Sequence, residues 1–196
     1  MNIVLRDLTP AERVVVQQRF EALASRRFAP STKRPRFEVW WPQAPLDARA
    51  FPEGIHPPES EDAFNEATRL MDFLNGASGG EFYIANLSAP KPHFRHAGTL
   101  DEDLARWIRT RLVSNPTALL ASNMDLLLIT DAQMHYSVLG GTPEIIDQFE
   151  RRFGGAAELR QMFASHVAQM RIGTEIDDAR WAGDYLQKWS GWESAA

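Results

Sequence analysis

The chain has 196 residues, a hydrophobic fraction of 44% and a net charge of −5, and it contains no cysteine. This length suits one globular domain, so we expect a single domain over residues 1–196. The absence of cysteine excludes disulfides, thiolate zinc sites and a cysteine nucleophile. The sequence shows no signal-type segment and no apolar run of about 20 residues, which predicts a soluble, cytoplasmic protein without a membrane span.

The N-terminal part of the chain predicts a helix followed by a strand. Residues 9–12 (TPAE) form a capping box with proline at the first helical position, and the apolar spacing extends the helix to about Arg26. Residues 36–41 (RFEVWW) have the composition of a strand, which places one of the two adjacent tryptophan rings on each face. Residues 42–58 are rich in proline, which predicts an ordered loop without regular structure.

The middle of the chain predicts two helices separated by a strand. Residues 60–76 have one apolar helical face and end at a glycine, and residues 81–87 (EFYIANL) have a strand pattern. A second capping box, residues 99–102 (TLDE), begins the next helix. Between the strand and that helix, His93 and His96 lie in a segment that we interpret as a solvated loop.

Residues 124–155 carry the most complete set of local signals. Two apolar runs on either side of a short polar break predict a β-hairpin. A helix follows, because Thr142 can cap its N-terminus, Pro143 suits its first position, Glu144 suits the positive end of its dipole and Gly154 can end it. Two more helical patterns cover residues 156–171 and 175–189.

This order of elements predicts the fold class α+β. We expect a mixed or mainly antiparallel sheet of about four to five strands covered by helices, because the hairpin requires at least one antiparallel pair. The last part of the chain, about 156–190, is predicted to be a helical region packed on one side of the same domain.

Basic side chains outnumber acidic ones near the N-terminus, which is one signature of an anionic partner. Solvated helix ends also favour cations, and we prefer this simpler interpretation to nucleic-acid binding. The residues concerned are Arg19, Arg26, Arg27, Lys33, Arg34 and Arg36.

The sequence contains no assembled catalytic or metal-binding set. His93 and His96 are spaced like metal ligands but have no third ligand nearby, so we predict no metal site. Ser78 follows a helix and precedes a strand, which is the reverse of a nucleophile elbow. We therefore expect no catalytic residue and no cofactor, and we favour a protein that is not an enzyme.

Protein binding is better supported by the surface chemistry. Carboxylates cluster in the first turns of the predicted helices, where the dipole favours them and where they can also meet a basic partner. Tryptophan and tyrosine near the C-terminus follow helical spacing and are either core residues or interface anchors. The predicted partner-binding residues are Glu102, His135, Ser137, Glu144 and Trp189.

Residues 126–155, LLLITDAQMHYSVLGGTPEIIDQFERRFGG, resemble a segment of small cytoplasmic immunity proteins that neutralise bacterial toxins and secretion-system effectors. The resemblance implies a non-enzymatic inhibitor that docks on a cognate protein, and it assigns no individual binding residue. The alternative is a small enzyme or ligand-binding domain, and the partner and the oligomeric state stay open. The pocket of that alternative would be formed by Trp40, Trp41, Tyr83, His93 and His96.

Overall fold

The computed structural model describes residues 5–28, 38–52, 61–89, 91–111, 115–131, 136–172 and 186–192. The strands are β1 (Arg6–Asp7), β2 (Ala24–Phe28), β3 (Glu38–Pro42), β4 (Asp47–Phe51), β5 (Phe82–Asn86), β6 (Arg95–Gly98), β7 (Thr117–Ala121), β8 (Leu126–Asp131) and β9 (Tyr136–Gly141). The helices are α1 (Pro10–Leu23), α2 (Glu61–Ser78), α3 (Glu102–Arg111), α4 (Pro143–Arg152) and α5 (Ala156–Ile172).

The predicted N-terminal caps of α1 and α4, Thr9 and Thr142, are confirmed. Thr9 accepts a hydrogen bond from the Glu12 N–H at 3.3 Å, and the Glu12 carboxylate accepts one from the Thr9 N–H at 2.8 Å. Arg6 donates two further bonds of 2.9 Å to the same carboxylate. These bonds, first from Arg6 and then from Thr9, lower the pKa of Glu12 to about 2. At α4, Thr142 accepts a hydrogen bond from the Ile145 N–H at 3.4 Å.

The first helix is shorter than the sequence predicts. It ends at Leu23, and Ala24 already has extended backbone angles of φ −139° and ψ 145°. Residues 24–28 form β2, which pairs antiparallel with β3 and sets Ser25 opposite Trp41. Pairing with a strand distant in sequence therefore overrides the helical pattern at Arg26.

The main sheet has seven strands in the order β1-β6-β5-β7-β8-β9-β4, and every pair in it is antiparallel. The α+β class and the predicted hairpin, β8 with β9, are confirmed. The predicted count of four to five strands is wrong, since the main sheet alone has seven strands. Strands β2 and β3 form a separate two-stranded ribbon.

The strands that the sequence interpretation missed lie in or beside segments whose proline and histidine residues suggested loops. β4 lies in the proline-rich segment 42–58, but none of its own residues is proline, and it pairs with β9 along its whole length. β6 lies in the segment that we interpreted as a histidine-containing loop, and it pairs with both β1 and β5. β7 follows Pro116 and pairs with β5 and β8.

Every residue of β7, β8 and β9 is buried, so the sheet is covered on both faces. On one face, Phe51 of β4 packs against Phe149 of α4 with ring centroids 5.2 Å apart, and Phe73 of α2 lies 5.6 Å from Phe149. On the other face, Trp41 of β3 stacks on Tyr136 of β9 at 6.2 Å. Helices α2 and α4 thus cover one side and the β2–β3 ribbon covers the other.

Helix α2 continues through Gly76, where the sequence predicts its end. It ends at Ser78, whose hydroxyl donates to the Asn75 carbonyl at 3.2 Å and accepts from the Gly80 N–H at 3.0 Å. Gly79 and Gly80 then take positive φ angles of 74° and 84°, which glycine adopts without strain. Of the predicted C-terminal helix 175–189, residues 175–185 lie outside the described residues, and Leu186 to Trp189 are helical.

Phe149 joins two helices and the sheet, so its truncation tests this packing. We expect Phe149→Ala to lower the free energy of unfolding by about 3–5 kcal/mol, because the side chain is 1% exposed and leaves a cavity. Urea denaturation measures this change. Phe153→Ala, the same change at the half-buried neighbour, is the control. An equal loss in both variants would contradict a central role for Phe149.

The lowered pKa of Glu12 predicts a dependence of stability on pH. The unfolded value is near 4.5 and the folded value is about 2, so the stabilisation is complete above 4.5 and disappears as pH falls toward 2. We expect Glu12→Gln to be less stable than the native chain near neutral pH and equally stable near pH 2. Urea denaturation across this range measures the difference. A difference that does not change with pH would contradict the assignment.

Candidate protein-binding surfaces

The predicted partner-binding residues lie in different environments. Glu102 and Glu144 are exposed in the first turns of α3 and α4. Trp189 is half-buried and packs edge-on against Trp41 with ring centroids 6.0 Å apart. His135 lies outside the described residues.

Ser137 is the one predicted residue that the structure removes from the surface. Its exposure is 0%, and its hydroxyl lies 3.0 Å from the Thr130 hydroxyl on the neighbouring strand. The alternation of polar and apolar residues predicts an exposed face for β9. That prediction is wrong because β9 lies inside the sheet, between β8 and β4, with both of its faces covered.

The antiparallel pairing brings several acidic residues to one end of the sheet. Gly141, at the end of β9, is the register partner of Asp47 in β4 and of Leu126 in β8, and Gly98 in β6 is the partner of Phe82 in β5. The chain connections at this end are therefore neighbours. Every charged residue in residues 43–47, 79–81, 99–103, 122–125 and 142–144 is acidic.

We call this surface the acidic end, and it is defined by Asp47, Glu81, Asp101, Glu102, Asp103, Asp125 and Glu144. All of these side chains are exposed except that of Asp103, which is half-buried. Grouped carboxylates produce a negative potential that attracts basic groups, and Arg6 and His96 lie beside Glu81 at one margin of this group. The acidic end includes Glu102 and Glu144, which the sequence identifies separately.

Hydrogen bonds hold the connections of the acidic end together. Ser122 donates its N–H to the Glu81 carbonyl at 2.9 Å. The Asn75 side chain donates to the Leu100 carbonyl at 2.7 Å and accepts from the Leu100 N–H at 3.0 Å. Asp101 caps α3 by accepting a hydrogen bond from the Leu104 N–H at 2.8 Å, so the predicted capping box at residues 99–102 is wrong. These bonds fix the positions from which the neighbouring carboxylates extend.

A second surface combines arginine with tryptophan on the β2–β3 ribbon. The Arg26 guanidinium lies 4.9 Å from the Trp40 ring centre, and that of Arg27 lies 5.7 Å from the rings of both Trp41 and Trp189. Burial lowers the pKa of Arg27 from its ordinary value. Such contacts are cation–π interactions, and they explain why this basic cluster is held against the core.

Of the five residues of the alternative pocket, Tyr83 and His96 are in ring contact with each other. Tyr83 and His96 are register partners with ring centroids 5.6 Å apart, and Nε2 of His96 lies 3.4 Å from a Glu81 carboxylate oxygen. His93 lies 3.9 Å from the Asp7 carboxylate. In the described part of the chain, no ring contact joins either tryptophan to Tyr83 or His96.

The two adjacent tryptophans follow the predicted strand alternation. Trp41 is 0% exposed, and its indole N–H finds no acceptor among the described residues. Trp40 is half-buried and lies 5.0 Å from Phe20 of α1. One ring therefore belongs to the sheet interior and the other to the contact between α1 and the ribbon.

Two kinds of feature are absent from the residues that the structure describes. No group of three or more His, Cys, Asp and Glu side chains there has the arrangement of a metal site. None of the described helices has the length and apolar character needed to cross a membrane.

Asp47, Glu81 and Asp125 belong to the acidic end but are not among the residues predicted from the sequence. Each lies beside a strand, and only the strand order shows that they share an end with Glu102 and Glu144. A sequence signal did exist, because the turn between two apolar strands, residues 122–125, contains an aspartate and no basic residue.

The buried hydroxyl pair provides a test of the structural role of Ser137. We expect Ser137→Ala to lower the free energy of unfolding by about 1–3 kcal/mol, because it leaves the Thr130 hydroxyl without this partner. Adding Thr130→Val should recover most of the loss, and the exposed Ser165→Ala is the control. Urea denaturation gives all four values. A stable Ser137→Ala variant would contradict the structural role.

Comparison with known proteins identifies no relative for this chain. No family model, no curated protein and no solved structure matches it.

Proposed function

We propose that this chain is a non-enzymatic protein-binding module of the immunity type, which neutralises a cognate bacterial toxin or effector by binding to it. The acidic end is its binding surface. The observation that carries the proposal is the convergence of exposed carboxylates from separate connections on one end of the sheet, with no basic residue in those connections. The proposal places the protein in the cytoplasm, where it meets its target.

The charge of this surface defines the chemistry of the partner. A surface on which carboxylates predominate fits a surface that carries lysine and arginine, and opposite charges accelerate association. Glu102, Asp125 and Glu144 are exposed and lie on three different connections. The partner is accordingly a protein with a basic surface, and occlusion of a basic active site is one way to neutralise it.

Local rigidity supports the same proposal. The connections of the acidic end are short, and hydrogen bonds join residues 79–81 to 122–125 and the end of α2 to the start of α3. A binding surface that is already ordered loses less conformational entropy on association. This property favours tight inhibition by a surface that has few large apolar groups.

Charge reversal tests the assignment of the acidic end. The protein encoded by the neighbouring gene serves as the candidate target, first by its effect on growth and then by its affinity for this chain. We expect the double variant Glu102→Lys, Glu144→Lys to bind the target at least roughly a hundredfold more weakly, about 2.8 kcal/mol, and to lose protection of growth.

The matched control reverses two exposed carboxylates outside the acidic end, Asp72→Lys and Glu158→Lys. Glu158 lies in the first turn of α5, so its reversal disturbs a helix start as much as that of Glu144 does. Circular dichroism checks that both double variants are folded. Equal losses in the two variants, or a neighbouring product that neither harms growth nor binds, would contradict the proposal.

A further inference from the structure

Strand β4 is the last strand of the seven-stranded sheet, and residues 186–192, which we call the C-terminal segment, lie along its outer edge. Alternate residues of an edge strand direct their N–H and C=O groups away from the sheet. In β4 these residues are Ala48 and Ala50, because the Ala50 N–H donates to the Ser190 carbonyl at 3.0 Å.

Three of the four outward backbone groups of β4 are bonded without another strand. The Trp192 indole N–H donates to the Ala50 carbonyl at 2.7 Å, so both backbone groups of Ala50 are bonded to the C-terminal segment. The Ala48 carbonyl accepts a bond of 2.9 Å from the Arg49 guanidinium, which also lies 5.2 Å from the Trp192 ring. The Ser190 carbonyl and the side chains of Trp192 and Arg49 thus occupy positions at which a further strand would pair.

The C-terminal segment fits closely against this edge. Leu186 is 0% exposed and Trp192 is 8% exposed, so both are anchors. Gly191 has a φ of 77°, and a Cβ atom at this position would lie 1.9 Å from the Ala48 carbonyl oxygen. The segment keeps its shape through the Ser190 hydroxyl, which donates to Gln187 O at 2.7 Å and accepts from the Trp192 N–H at 3.2 Å.

We propose that the C-terminal segment guards the β4 edge against pairing with the β4 edge of a second copy of this chain. An uncovered edge strand offers free backbone groups to any other strand. Two copies of β4 related by a twofold axis would pair antiparallel, with Ala48 of each opposite Ala50 of the other. The two Arg49 side chains would then face each other, but each charge is paired with Glu150 at 2.7 Å.

Two variants remove the cover in different ways. Gly191→Ala introduces the clash with Ala48 and removes no buried side chain, whereas Trp192→Ala removes an anchor and its hydrogen bond. The matched control is Gly79→Ala, which has a φ of 74° but meets no atom within 4 Å. Light scattering measures the mass of each variant, and hydrogen exchange measures the opening of the Ala50 amide.

We expect the Ala50 amide to exchange roughly tenfold faster in both cover variants, and the mass to double relative to the native chain and to Gly79→Ala. Ala48→Pro, added to Gly191→Ala, should restore the native mass, because proline lacks the outward N–H that a second strand requires.

Three results would overturn the proposal. Unchanged exchange at Ala50 would mean that the segment does not protect this edge. Faster exchange at the native mass would mean that the edge needs no guard. Self-association that persists with Ala48→Pro would mean that another surface is responsible.

Discussion

Strands β7, β8 and β9 are buried along their whole length, and this constraint determines how the rest of the chain is arranged. A sheet with two apolar faces needs a cover on each. Helices α2 and α4 supply one cover through Phe73 and Phe149, and the β2–β3 ribbon supplies the other through Trp41. The parts of the sheet that these covers leave open are its edges and its ends. The C-terminal segment lies at the β4 edge, and the acidic end lies at one end of the strands.

The antiparallel order converts separate local features into one surface. Each helix start needs a cap and favours a carboxylate in its first turn, which accounts for Asp101 and Glu144 individually. Such local preferences do not require the starts of α3 and α4 to lie at the same end of the sheet. Their position follows from β6 and β9 running in the same direction, and the turn between β7 and β8 adds Asp125 to the same surface.

The sequence predicts most of the features that depend on neighbours along the chain, although the β7–β8 pairing and the Asp101 cap of α3 are local features that it missed. The caps at Thr9 and Thr142 and the β8–β9 hairpin are confirmed because their bonds join residues a few positions apart. Strand β4 and the burial of Ser137 were missed because both depend on β9 pairing with residues far away in the chain. The acidic end was predicted only in part, at Glu102 and Glu144. Asp47, Glu81 and Asp125 were missed because only the strand order places them at the same end of the sheet.

Hydrogen exchange of this chain, alone and mixed with the product of the neighbouring gene, tests the central claim most directly. The proposal predicts slower amide exchange in residues 79–81, 99–103, 122–125 and 142–144, with little change in β2 and β3, which form the separate ribbon. Protection confined to the β2–β3 ribbon, or no protection at any position, would contradict the assignment of the acidic end as the binding surface.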